Sequence, residues 1–155
     1  MAGGATVGHV PARVWTIGYE KLLPAELAAE LKAAGVERVI DVRFRPQSRR
    51  PGMSKTRLSE LLRDHGITYE HRRELGTPQH IRPLFHQGKL QEARTAYTEH
   101  VQANAPDALD ELANELTRGP KTALLCLEAD PTGCHRRVIT DELQRRRSDL
   151  SVIDL

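Results

Sequence analysis

The feature that most constrains this chain is a strand–helix–strand unit near its start. Val14 to Ile17 is a short β-rich run, followed by Gly18 and Tyr19. Pro24 to Ala34 puts Leu27, Leu31 and Ala34 on one helical face, and Gly35 ends it. Arg38 to Val42 is a compact apolar strand with one acid, Asp41, near its end. Two short strands joined tightly through a helix are the unit of a parallel sheet.

The rest of the chain keeps the alternation. Arg43 to Gly52 is a loop broken by Pro46 and Pro51, with arginines at 43, 45, 49 and 50. Ser54 caps a helix to about His65, with Leu58, Leu61 and Leu62 as its buried stripe. Ile67 to Glu70 is a third strand. Arg72 to Gly88 lacks a period and reads as loop. Leu90 to Ala103 and Pro106 to Thr117 are helices, and Thr122 to Leu127 is the most apolar strand. A helix from about Pro131 to Arg147 follows, and Val152 to Leu155 can add a last strand. The order predicts a three-layer α/β sandwich, with a small, mainly parallel sheet of about four to five strands flanked by helices.

A chain of 155 residues is long enough for one core. The expected organisation is a flexible leader over 1–12 and a single α/β domain over 13–155. With aromatics at 4%, the core must be mostly Leu, Val, Ile and Ala. No run approaches the ~20 apolar residues of a membrane helix, so no membrane partner is expected. Two cysteines and no secretory h-region point to a reduced, cytoplasmic protein. A net charge of +2 is too small to argue for a polyanion partner. Yet 18 of the 23 basic residues are Arg, the side chain suited to bidentate recognition of phosphate or carboxylate. An Arg-rich genome would write the same bias without any ligand.

In open parallel sheets, ligands sit outside the carboxyl ends of the strands. Those ends carry polar groups throughout: Tyr19 after the first strand; Asp41, Arg43, Arg45 and Ser48 at the second; His71, Arg72 and Arg73 after the third; Cys126, Glu128, Asp130, Cys134, His135 and Arg136 at the fourth. A shared site would use Cys134, Asp41, His135 and Glu128 for chemistry, and Tyr19, Arg43, Arg45, Ser48, Arg72 and Arg136 to hold a ligand.

Asp130-Pro131 is a good helix start, which would put Cys134 in or just past the first turn. A thiol there, beside Arg136 and His135, ionises more readily than a free one. Cys126, inside the apolar TALLCL run, reads as a buried, inert thiol. Three roles remain open for Cys134: nucleophile with His135 or His71 as base, metal ligand with Cys126, His135 and either Glu128 or Asp130 as a further ligand, or structural thiol. C-x7-C-H is not a common zinc spacing, so no metal and no cofactor are expected. Cys126 to Arg136 is C-x9-R, not the C-x5-R of Cys-loop-Arg phosphatases, and Glu128 and Asp130 would repel a phosphate from that loop. Asp41 is either an acid–base group or the partner of Arg43.

With these residues in place, the chain resembles the domain of unknown function 488 family. The resemblance rests on TIGYE (Thr16 to Glu20), on Asp41-Val42-Arg43 followed by Pro46 and Ser48, on YEHRRELG (Tyr69 to Gly76), and on Cys126-x-Glu128 with Cys134-His135-Arg136. One departure is Gly76-Thr77, where the family tends to have a Gly pair. The resemblance implies a compact α/β domain whose motif residues gather in one place, and no particular reaction. The expected function is an enzyme-like domain acting on or binding an anionic, phosphate-bearing ligand, such as a nucleotide or nucleic acid. The alternatives are a non-catalytic nucleic-acid module using the arginine loop and a scaffold whose motif is structural; the oligomeric state is open.

Overall fold

A computed structural model of the chain describes residues 11–155. Five strands form one all-parallel sheet: β1 (Arg13–Gly18), β2 (Arg38–Asp41), β3 (Thr68–His71), β4 (Thr122–Cys126) and β5 (Ser151–Asp154), in the order β3-β2-β4-β1-β5. The helices are α1 (Pro24–Ala33), α2 (Lys55–Asp64), α3 (Arg82–His86), α4 (Leu90–Asn104), α5 (Pro106–Arg118) and α6 (Arg136–Arg146). The expected α/β fold is present. The leader expected over 1–12 lies outside the described residues except at its end. There Ala12 is buried, and its carbonyl accepts from the Ser151 N–H at 2.9 Å.

Strand side chains alternate between the faces of a sheet, and this divides the core in two. Leu124 and Cys126 of β4, with Ile40 and Val42 at β2, pack against Tyr97 of α4, Leu109 and Leu112 of α5, and Ile139 and Leu143 of α6. Ala123 and Leu125 of β4, with Val39 of β2 and Ile17 of β1, pack against Leu27 and Leu31 of α1 and Leu58 and Leu62 of α2. Helices therefore cover both faces, which an all-parallel sheet requires.

Three local expectations change. The segment 72–88 is not all loop: Arg73–Leu75 is a 3₁₀ turn and α3 follows. Five residues are too few to display a helical period, and buried Ile81 and Phe85 anchor this short helix instead. The strand expected over 67–70 is shifted, so His71 belongs to β3. The helix expected from Pro131 begins at Arg136, because Pro131–Gly133 forms a separate 3₁₀ turn. The Asp130 carboxylate caps that turn, accepting the Thr132 N–H at 2.9 Å. Cys134 is extended, with φ −139° and ψ 156°, so it precedes the helix and has no place in its first turn.

β4 is inserted between β1 and β2, although β3 is the strand that directly precedes it in sequence. The connections before and after it depart over the α4–α6 face. A crevice is left where neighbouring connections diverge, at the carboxyl ends of β1, β2 and β4. Gly18 permits the closest approach there: a Cβ on it would lie 1.6 Å from the Glu128 carbonyl oxygen.

Candidate functional site

A cavity of about 580 Å³ opens at this crevice. That volume is in the range of small-molecule sites. Its lining comes from the ends of three strands and from the segment around α3: Tyr19, the loop residues 43–45 and 47–50, Cys126 to Glu128, Cys134 and His135, with Thr77, Arg82, Phe85 and His86.

Two polar clusters border it, and strand alternation separates them. The first is at the end of β2. The Arg43 guanidinium grips Asp41 bidentately, with Nε donating to Oδ1 at 2.9 Å and Nη2 to Oδ2 at 2.7 Å. Its Nη1 donates to the Met53 carbonyl at 2.7 Å and to Tyr19 Oη at 3.2 Å. The Tyr69 hydroxyl also donates to Asp41 Oδ2. Asp41 has no exposed surface and does not line the cavity. Burial alone would lower the Arg43 pKa; the paired Asp41 carboxylate outweighs it and raises it. Burial, followed by the same carboxylate, raises Tyr69. Every guanidinium nitrogen of Arg43 has a partner inside the protein, so this pair braces the loop and the cavity wall.

The second cluster is at the end of β4, on the opposite face. His135 Nδ1 is 3.5 Å from Cys134 Sγ and 3.9 Å from Cys126 Sγ. The three ligand-capable atoms lie within 4.8 Å of one another, and all three residues are buried. His135 Nε2 is 2.7 Å from the Val42 carbonyl. A carbonyl can only accept, so Nε2 carries the hydrogen. Tyr97 and Phe85 hold the ring edge-on, with centroids at 5.2 and 6.4 Å. Cys126 Sγ donates to Glu128 Oε1 at 3.5 Å.

The electrostatics of this cluster are unequal. Burial would raise the Cys134 thiol, but the facing Cys126 thiol, the charge of His135 and that of Arg136 hold it well below the usual thiol range. Cys126 moves the other way, because the Cys134 sulfur faces it and it is buried. Burial, then the negative charge of Cys134, pushes Glu128 up to about 7. Burial would lower His135, but the facing Cys134 outweighs it and raises the imidazole. The cluster thus favours a thiolate on Cys134 and a thiol on Cys126.

The expected site residues are placed as follows. Tyr19, Arg43, Arg45, Ser48, Glu128, Cys134 and His135 border one cavity. Ser48 is engaged within its loop, accepting from the Arg50 N–H at 3.1 Å. Arg72 is not at the cavity: it is bound to Glu70 and to Glu115, the latter at 2.8 Å. It follows β3, the edge strand beside β2. Arg136 is buried behind the cluster and donates to the Glu128 carbonyl, while its Nε has no partner among the described residues. Cys126 is buried as expected, but it borders the cavity and faces Cys134.

Sequence reasoning missed Thr77, Arg82, Phe85 and His86, which come from the stretch without a period. Thr77 stands at the departure from the family's Gly pair. Its Oγ1 is buried at the cavity without a partner. The guanidinium groups of Arg45, Arg49 and Arg82 are exposed at the mouth and, among the described residues, make no hydrogen bond or ion pair.

Residues 24–143 match the family model described as Domain of unknown function DUF488. The chain belongs to that family. Comparison with curated proteins and with solved structures found no match. The DUF488 match contains both polar clusters and the α3 segment, while Tyr19 lies before it. Among the described residues, no helix is long and apolar enough to cross a membrane.

Proposed function

We propose that this DUF488 protein is an enzyme-like domain that takes a small anionic, phosphate-bearing ligand into the cavity at the ends of β1, β2 and β4. The observation that carries this reading is the set of three uncommitted guanidinium groups, Arg45, Arg49 and Arg82, around a mouth that leads to a buried thiol–imidazole floor. Arginines whose donors are already satisfied, such as Arg43, cannot add a ligand without losing a partner. These three can, and an anion between them would receive charge-assisted hydrogen bonds. The unpartnered Thr77 hydroxyl supplies a neutral donor deeper in. Cys134, His135 and Glu128 face the ligand from the cavity floor. Asp41 acts through Arg43 as a positioning residue.

The cavity volume favours a nucleotide-sized ligand over a nucleic-acid strand, and Phe44 and Phe85 on its walls offer flat apolar surface to a base. The test is isothermal titration with adenosine monophosphate and with inorganic phosphate. The triple variant Arg45→Ala, Arg49→Ala, Arg82→Ala should bind at least about tenfold more weakly, with a smaller salt dependence. Unchanged binding, or salt-dependent binding of single-stranded DNA that the monophosphate does not compete away, overturns the reading.

A further inference from the structure

We infer that Cys126, Cys134 and His135 form a binding site for a soft divalent metal ion of the zinc class, bordering the cavity. The inference rests on the proposed function for the ligand that would meet the ion, and not for the ion itself.

Separations carry the argument. Zinc bonds sulfur at about 2.3 Å and imidazole nitrogen at about 2.0–2.1 Å, with tetrahedral angles. Those values put a coordinated sulfur and nitrogen about 3.6 Å apart. The Cys134 and Cys126 sulfurs lie 3.5 and 3.9 Å from Nδ1, on either side of that value. The expected S···S edge is about 3.8 Å, inside the 4.8 Å that encloses all three atoms. An ordinary packed core has no need to bring two thiols and a ring nitrogen to the corners of one coordination tetrahedron.

The histidine is also presented correctly. A ligating imidazole commonly donates its other N–H to a backbone carbonyl or carboxylate, which fixes the ring and its tautomer. Here the Val42 carbonyl takes the Nε2 hydrogen at 2.7 Å, so Nδ1 is the nitrogen left to coordinate, and it is the one facing both sulfurs. Val42 directly follows β2, so a neighbouring strand end sets the orientation. Phe85 and Tyr97 fix the ring from the sides.

The coordination count has a chemical meaning. Structural zinc sites close with four protein ligands, whereas catalytic ones keep three and leave one position open. This chain offers two thiols and one imidazole, and all three residues line the cavity, so the remaining position borders the ligand space. Glu128, with Oε1 at 3.5 Å from Cys126 Sγ, also borders that position. Two thiolates neutralise a divalent ion, and the buried Arg136 stands behind the cluster, donating to the Glu128 backbone carbonyl.

The test is titration of the reduced, chelator-treated full chain with Co²⁺ as a spectroscopic probe. The expected result is one ion per chain, with thiolate-to-cobalt charge-transfer absorption and the intense visible bands of a tetrahedral site. Cys126→Ser, Cys134→Ser and His135→Ala should each weaken binding by more than the roughly 10- to 100-fold that loss of an outer-shell partner costs. Wild-type protein that gives no charge-transfer absorption, or folded variants that keep it unchanged, overturns the inference. If the variants do not fold, the wild type decides: Zn²⁺ should slow iodoacetamide labelling of both cysteines at least tenfold, and unchanged labelling overturns it. Phosphate titration of the same metal-free sample separates the two proposals. Phosphate binding without cobalt binding removes the metal alone, and cobalt binding without phosphate binding removes the anion site alone.

Discussion

At the end of β2, Asp41 and Arg43 are committed to one another: both carboxylate oxygens accept, and every guanidinium nitrogen has a partner inside the protein. At the end of β4, Cys126, Cys134 and His135 meet around a small volume and leave Nδ1 and two sulfurs turned toward it. Both ends carry titratable groups, both are buried, and both stand at one crevice. The difference teaches that perturbed, buried charge has two uses. A group whose hydrogen-bonding capacity is exhausted holds structure; a group with capacity left over can hold a ligand.

The sharpest way to break this comparison is Asp41→Ala. It leaves the buried Arg43 guanidinium unpaired, which typically costs about 3–5 kcal/mol. Denaturant unfolding should show that loss as a lower midpoint. Asp41→Ala with near-wild-type stability would place Asp41 among the functional groups instead of the structural ones.

Gly18→Ala should follow, at about 1–3 kcal/mol, because its Cβ would fall 1.6 Å from the Glu128 carbonyl and displace the loop after β4. The distinguishing readout is Co²⁺ affinity, which should fall with stability because that loop leads to Cys134. Unaltered cobalt spectra in a destabilised variant would mean that the cluster is held independently of the loop.

The mouth arginines should behave oppositely to Arg43. Arg45→Ala, Arg49→Ala and Arg82→Ala are surface changes, each expected within about 0.5 kcal/mol of wild type in stability. A marked fall in melting temperature for these variants would show that their side chains are committed after all.

The smallest effect is a pH dependence away from the cavity. Burial alone would raise the Glu115 pKa, but hydrogen bonds from Arg72 and Arg38 outweigh it and hold the carboxyl below its ordinary value of 4.5. A carboxyl depressed in the folded state contributes stability that is fully present above its unfolded value and is lost as pH falls through the folded one. Wild type should therefore lose stability below about pH 4.5, and Glu115→Gln should lose about 1 kcal/mol less across that window. Parallel pH–stability curves for the two would show that the Glu115 pairs contribute nothing. This pairing also explains why Arg72, expected at the site, is absent from it.

Much of this protein was legible as sequence. Short apolar runs alternating with helical faces such as Leu27-Leu31 and Leu58-Leu62 can bury themselves only as a sheet with helices on both sides. The rule that ligands sit at strand ends then placed Tyr19, Arg43, Cys134 and His135 at one crevice, where the structure has them. The α3 segment was illegible, because a five-residue helix held by Ile81 and Phe85 has no period to read, and with it went Thr77, Arg82 and His86.

Only the tertiary structure decided how the polar groups were shared out. A strand's alternation sends Asp41 to the α1–α2 face and Cys126 to the α4–α6 face, a division that depends on which strands are neighbours. Linear spacing argued against a metal site, since C-x7-C-H is an uncommon zinc pattern. Spacing along the chain does not limit distance in space, however, once a 3₁₀ turn and an extended Cys134 fold the second cysteine back onto the first. Local sequence determines elements and their ends through hydrogen bonding and side-chain periodicity; the choice of partner for each buried side chain is made by packing between elements that are far apart in the chain.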